Sequence, residues 1–275
     1  MADPFFPFLQ QKKPRTERPR GTWQSAPLSV SISVLMLCFL TLIIGAAHHA
    51  RKIAHQSVCR GRMSQIAMAL QNYHDFYGTF PPACITDAAG RPMHSWRVLI
   101  LPFLNSYDLY QEYRFDEPWD SLHNRKLALR SRNEIWHCPS GSHDDSPNTD
   151  YVVIRGEDTL FPVSRSVSLT EIQDGPANTI LLAEIGHSNI HWMEPRDLSS
   201  EEMSFRVNDF KRPSISSSET DGPAVVFADG ITAYRLDSTL RPETLKALTT
   251  IAKGESISKD RLVLPNRPSP HSLGE

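Results

Sequence analysis

The stretch "LQNYHDFYGTFPPA", Leu70–Ala83, decides how this chain is read. It closes a helical pattern and then stops it with Gly78 and the pair Pro81-Pro82. Glycine suits the left-handed position just past a helix. Prolines are common shortly beyond it, because they cannot continue the hydrogen-bonded turn. Upstream, Met63, Ile66, Leu70, Tyr73 and Tyr77 recur at spacings of three and four, which puts one apolar stripe on one helix face. Arg60, Arg62, Gln65, Gln71 and Asn72 fall largely elsewhere. Gly61 interrupts the pattern and marks a candidate bend, at up to ~1 kcal/mol relative to Ala. His74 and Asp75 invite an acid–base reading, but adjacent residues diverge on a helix. The stretch therefore predicts a joint between a helix and the domain it enters, made by Tyr73, Tyr77, Gly78, Pro81 and Pro82.

Toward the N-terminus the helical pattern meets "LSVSISVLMLCFLTLIIGAA", Leu28–Ala47, twenty residues without a charge. At about 1.5 Å per residue that run crosses a ~30 Å hydrocarbon core. Ser29, Ser31, Ser33 and Thr41 are tolerable there, since hydroxyls bond back to the helix backbone. A cleaved signal peptide is the competing reading. The basic leader is long, the run exceeds an ordinary signal core, and only "GAAHHA" resembles a cleavage site, so a retained span is expected. Unbroken, Leu28–Tyr77 is a fifty-residue helix roughly 75 Å long. Five Lys/Arg precede the span, and Arg51, Lys52, Arg60 and Arg62 follow it, so the positive-inside count leaves the orientation open.

The 275 residues carry a formal net charge of −2 and 40% apolar residues, enough for a real core. Residues 1–27 are Pro- and Lys/Arg-rich, hold about +3, and read as a disordered basic tail, which leaves about −5 elsewhere. A mildly acidic main domain gives no electrostatic reason to expect nucleic acid. Of four cysteines, Cys38 lies in the apolar run. Cys59, Cys84 and Cys138 form either one pair plus a thiol or three thiols, and both remain open on the residues alone.

Beyond Pro82 the signals shorten. "HSWRVLILPFLNSYDLYQEY", residues 94–113, predicts two short helices split at Pro102, with Ser95 as a cap. "DSLHNRKLALRSR" predicts a helix with Asp120 at its N-cap. Strands are predicted from Tyr151 and over Asn178–Ile185. "AVVFADGITAYRL" predicts a hairpin, Ala224–Phe227 and Ile231–Leu236, closed by the turn Asp229-Gly230. "STLRPETLKALTTI" predicts a last helix with Pro242 in its first turn. The order is α+β: a long helix, small helices, then an antiparallel sheet, without an internal repeat.

Site chemistry is sparse. His55 and Cys59 are four apart, a spacing that can share a metal, but no third ligand is near. His137-Cys138-Pro139 and His143 complete no CxxC or HExxH pattern. Asp144-Asp145, Gly156-Glu157-Asp158 and Asp174-Gly175 lack the twelve-residue calcium-loop spacing. No nucleophile elbow, phosphate loop or dinucleotide fingerprint occurs, so no catalytic residue, metal or cofactor is assigned. Trp96, Trp119, Trp136 and Trp192 are candidates to stack on a sugar or peptide, against the ordinary expectation that they pack a core.

Several stretches in order resemble a large bacterial family of unknown function, abundant in planctomycete-type bacteria. They are "CRGRMSQIAMALQNYHDFYGTFPPA", "SWRVLILPFL", "YRFDEPWDSLHN", "HCPS", "DGPANTILLAE", "HWMEPRDL" and "VVFADGITAYRL". Members have a pilin-like N-terminal cleavage/methylation segment and a C-terminal motif of His, nine residues, then Asp-Gly. "ALQNYHDFYGTFPP" also looks like the helix end of type II secretion major pseudopilins. The resemblance implies a helix in the inner membrane with its N-terminus inside, and an α+β head outside the cytoplasm. It also implies that Cys59 pairs with Cys138 and leaves Cys84 free. The chain departs from the family pattern twice. No Asp or Glu occurs between Glu17 and Asp75, and Gly21-Thr22-Trp23 is a poor processing site, so no prepilin cleavage is expected. Glu219 stands where the motif histidine falls, ten before Asp229.

The expected organisation is a basic cytoplasmic tail (1–27), a transmembrane helix (28–47), its amphipathic extension (48–78), an extracytoplasmic head (79–255) and a flexible tail (256–275). The expected role is structural or interaction-based, with the lipid bilayer and other pilin-like subunits or secretion machinery as partners. The alternative is a membrane-tethered ligand-binding or sensor domain using the loops Trp119–Asn124 and His191–Asp197.

Overall fold

The structure is a computed structural model that describes residues 28–131, 134–139, 146–163, 165–219, 221–254 and 262–263. The expectations for the basic tail, for His143, Asp144 and Asp145, and for most of the C-terminal tail lie outside these residues. Contacts divide the chain into two compact units, Met1–His49 and Ala50–Glu275.

In the first unit the described residues belong to one helix, α1, which starts at Leu28 and runs on without a break to Tyr77. Its large apolar side chains from Ile32 to Ile44 are 47–71% exposed. This helix is long and apolar enough to cross a membrane. Gly61 does not interrupt it.

In the second unit the rest of α1 packs on a sheet. Cys59, Met63, Ile66, Ala67 and Leu70 are buried, and Cys59, Met63, Ile66 and Leu70 follow one another at spacings of three or four, about one turn each. Fully burying a side chain such as Met63, Ile66 or Leu70 contributes about 1.5–3 kcal/mol. The stripe stops one turn sooner than the sequence predicts: Tyr73 is half-buried and Tyr77 is 57% exposed.

The sheet combines β3 (Tyr151–Val152), β5 (Ile180–Glu184), β7 (Ala224–Phe227), β8 (Ala233–Leu236) and β9 (Leu262–Val263) in the order β3-β5-β7-β8-β9, all antiparallel. β9 falls in the predicted flexible tail, where the free edge of β8 pairs it. Alternation along β7 sends Ala224 and Val226 toward the core that holds α1, and Val225 and Phe227 toward a second core. The second core is closed by Leu245 and Leu248 at α5 (Pro242–Ala247). β5 breaks the alternation, because Leu181 and Leu182 both join the α1 core while Ile180 and Ala183 join the second. A register shift between Ile180 and Leu182 against β7 supplies the extra residue that allows this.

Smaller elements cover the α1 side. β1 (Cys84–Thr86) pairs with β2 (Pro92–Ser95), followed by α2 (Trp96–Leu99), a 3-10 turn at Leu101–Leu104, α3 (Tyr107–Glu112) and α4 (Leu122–Ser131). Residues 94–113 are thus a strand end and three short helical pieces rather than two helices. The Ser95 hydroxyl does accept from the Arg97 N–H. At α4 the capping role passes from Asp120 to Ser121, whose hydroxyl accepts the Asn124 N–H at 3.1 Å. β4 (Ile154–Arg155) and β6 (Leu198–Ser199) form a separate parallel pair. The hairpin turn also differs from expectation. β7 ends at Phe227 and β8 starts at Ala233, so residues 228–232 form a five-residue loop, and neither Asp229 nor Gly230 has positive φ. The Gly230 N–H donates to the Phe227 carbonyl, and the Gln71 side chain of α1 donates to the Ala228 carbonyl at 2.8 Å. That second bond draws the loop onto the helix in place of a tight two-residue turn.

Candidate functional site

The joint is built first by the backbone. Gly78 has φ +80°, and its N–H closes the last turn on the His74 carbonyl at 2.7 Å. Phe80 then donates to the Val167 carbonyl at 2.8 Å and is fully buried, while Pro81 is buried and Pro82 half-buried. His74 serves the same junction: its Nε2 accepts the Leu169 N–H at 3.1 Å, and its ring lies 5.0 Å from Phe80. An accepting Nε2 places the ring proton on Nδ1, 3.6 Å from the Asp75 carboxylate. His74 is therefore used at the helix end, while the Asp75 side chain stays largely exposed. Tyr73 packs on Phe103 at 6.0 Å, and Tyr77 packs on Tyr73 at 4.4 Å.

A second tie lies about five turns upstream. Cys59 of α1 is bonded to Cys138, with Cα atoms 4.8 Å apart across 79 positions of sequence. The Tyr151 hydroxyl donates to the Cys59 carbonyl at 3.3 Å, and the Cys138 N–H donates to the Asp150 carboxylate at 2.7 Å. Arg62 adds a bond to the His137 carbonyl at 2.9 Å and an ion pair with Glu134 at 3.0 Å. The disulfide takes Cys59 out of any metal site with His55. Among the described residues no group of three His, Cys, Asp or Glu side chains is placed to hold a metal ion. Cys84 is a buried free thiol.

The four tryptophans do not form a ligand platform. Trp96, Trp136 and Trp192 are buried, with Trp96 edge-on to Trp136 and Trp136 stacked on Trp192, both at 5.9 Å. The row continues through His191, stacked on Trp192 at 6.4 Å, to half-buried Trp119, 5.2 Å from His191. The two loops named from the sequence do meet here. His191 Nδ1 accepts the Met193 N–H at 3.1 Å, which fits a neutral ring. Burial, and then the Arg125 charge, lower its pKa to about 4. Asn124 is fully buried and holds the backbone of Arg114 and Pro118 with three bonds of 3.0 Å, a structural use of that amide.

Three buried charged residues were not singled out from the sequence. Arg97 and Asp197 pair at 2.6 Å in the core. Asp197 also accepts from Trp96 Nε1 at 3.1 Å and the Val153 N–H at 3.1 Å. Glu184 ends β5, accepting the Ser217 hydroxyl at 2.7 Å and the Ala224 N–H at 2.8 Å, and burial pushes its carboxyl pKa up. The sequence signal was there, a lone charge inside "SWRVLIL" and another ending "ILLAE". Buried charges need partners. These side chains tie loops to the sheet, and among their buried polar atoms Arg97 Nε has no hydrogen-bond partner.

Residues 48–160 match a family model described as "Protein of unknown function (DUF1559)". The matched region begins in α1 and ends just past β4, so it contains the joint, the disulfide and the Trp96–Arg97 segment. No curated protein and no solved structure matches the chain.

Proposed function

We propose that this chain is a single-pass, pilin- or pseudopilin-like protein of the cytoplasmic membrane, with its N-terminus inside and its head outside. Its role on this reading is structural or interaction-based, with no catalytic activity. The observation that carries the proposal is the double use of α1: one unbroken helix exposes an apolar run and then covers one face of an antiparallel sheet. The Cys59–Cys138 bond supports an oxidising compartment for the head, since such bonds persist outside the cytoplasm. Its partners would be the lipid bilayer and other pilin-like subunits or secretion machinery.

Leu129 is 72% exposed on α4 and serves as a reporter. In spheroplasts, Leu129→Cys should react with a membrane-impermeant maleimide without permeabilisation. Reaction only after permeabilisation overturns the proposed topology. Recovery of the protein in sheared surface filaments supports the subunit role. A protein that stays monomeric in the membrane at all expression levels favours the tethered binding domain, for which the Trp119–His191 contact is the supporting feature.

A further inference from the structure

The segment after β6 returns toward the start of α5 and encloses an open cavity of about 640 Å³. Arg206, Lys211 and Arg241 line it, and none of the three forms an ion pair among the described residues. Phe210 lies between the first two in sequence, with its ring 70% exposed. Asn208 and Thr239 add polar groups to the wall. One carboxylate, Asp209, is present; it accepts the Lys211 N–H at 3.1 Å and lies in the field of Arg206 and Arg212, so it offsets part of the Arg206 charge. Three cations against one engaged carboxylate make this a local positive site on a head whose overall charge is negative.

The loop is held in place rather than left to drift. Asn208 has φ +57°, its N–H donates to the Ile215 carbonyl at 3.0 Å, and its side-chain oxygen accepts the Ser217 N–H at 2.9 Å. Ser204 donates to the Pro213 carbonyl at 2.8 Å, and the Ser214 hydroxyl to the Asp209 carbonyl at 3.2 Å. Val207 and Leu240, beneath the cavity, belong to the second core. The cationic and aromatic side chains therefore project from a fixed base.

We infer that this cavity binds an acidic polysaccharide, one carrying uronic carboxylates or sulfates along its chain. Guanidinium and ammonium groups take the anionic substituents. The Phe210 ring offers an apolar face for a sugar ring, and the amide and hydroxyl groups meet ring hydroxyls. Nucleic acid fits less well, because the positive charge is confined to this cavity on an acidic domain. The inference does not depend on which side of the membrane the head occupies.

The full-length protein in detergent micelles would be titrated with polygalacturonate, dextran, polyglutamate and inorganic phosphate. Polygalacturonate should bind, and its affinity should fall by about tenfold between about 50 and about 200 mM salt. Dextran should not bind, and polyglutamate should bind at least about tenfold more weakly because it lacks a sugar face. The combined Arg206→Gln, Lys211→Gln, Arg241→Gln variant should lose binding. Phe210→Ala should weaken polygalacturonate binding by about tenfold. All four side chains are exposed, so the melting temperature should hold, and Lys211→Gln alone gives a milder check. Equal binding of dextran or polyglutamate overturns the inference. So does displacement by phosphate alone that Phe210→Ala leaves unchanged, or wild-type binding in the charge variant.

Discussion

Gly78 is the residue on which the joint turns. Its φ of +80° lies where a side chain is strained, yet a Cβ there would meet nothing within 4 Å. Replacement is therefore a test of backbone conformation with little steric admixture. Gly78→Ala should destabilise the second unit by about 1 kcal/mol. That corresponds to roughly 2–4 °C in the melting temperature of a unit this size, and the β-branched Gly78→Val should lose more. An unchanged melting temperature for both variants would remove the left-handed assignment. His191 sets a pH dependence at the same scale. Its pKa is lowered to about 4, against about 6.5 in the unfolded chain, so the unfolded state binds the proton more tightly. Its contribution to stability is complete above about pH 6.5 and is lost as pH falls toward about 4. His191→Gln keeps an acceptor for the Met193 N–H and does not titrate. The variant should show a shallower fall in melting temperature between about pH 7 and about pH 4. Equal slopes would mean that the ring is not held neutral.

Among the elements, α1 is the one the sequence states most plainly, because a fifty-residue pattern averages over many side chains. Its end was readable from Gly78 and Pro81-Pro82, since those residues act locally. The turn at Asp229-Gly230 was not, because the Gln71 side chain and the Ala228 backbone settle that loop and they are 157 positions apart. The same holds for the Trp119–His191 contact and the Arg97–Asp197 pair: the lone charge inside "SWRVLIL" signals that Arg97 needs a partner, but only the fold shows which residue supplies it. β5 defeats simple alternation because a bulge turns two neighbouring leucines to one face. The disulfide acts at this scale, tying α1 to the loop before β3. In the chain-entropy model, closing a loop across 79 positions is worth about 4 kcal/mol. The Cys59→Ser, Cys138→Ser double variant should therefore melt well below the wild type, by about 8–16 °C. The variant's melting temperature should not move with added reductant, while the wild type's should fall. A wild type indifferent to reductant after full reduction of the bond would show that hydrophobic contacts of Met63, Ile66 and Leu70 alone hold the helix in place.

For the whole molecule, the question is how much of α1 the folded unit requires. Every turn with a buried contact lies within Ala50–Glu275, from Gln56 onward, and the side chains from Ile32 to Ile44 stay exposed. Apolar surface left uncovered in water drives association, whereas a bilayer or micelle covers it. Removing residues 1–49 should thus take away the cause of insolubility without touching the core. The only cysteine lost is the exposed Cys38, so the Cys59–Cys138 bond is retained. A chain starting at Ala50 should be soluble without detergent, unfold in one cooperative step, and melt within a few degrees of the full-length protein in micelles. The first turn of the shortened helix should fray, because nucleation at a free end is unfavourable and the Lys52 ion pairs with Glu219 and Asp221 are long, at 3.6 Å, whereas the Gln56 amide in the second turn donates to the same two carboxylates at 3.1 and 2.9 Å. A fragment that aggregates, or melts more than about 10 °C lower, would mean that residues before Ala50 stabilise the head directly. The apolar run would then need a structural role in addition to anchoring, such as packing against a second copy of α1.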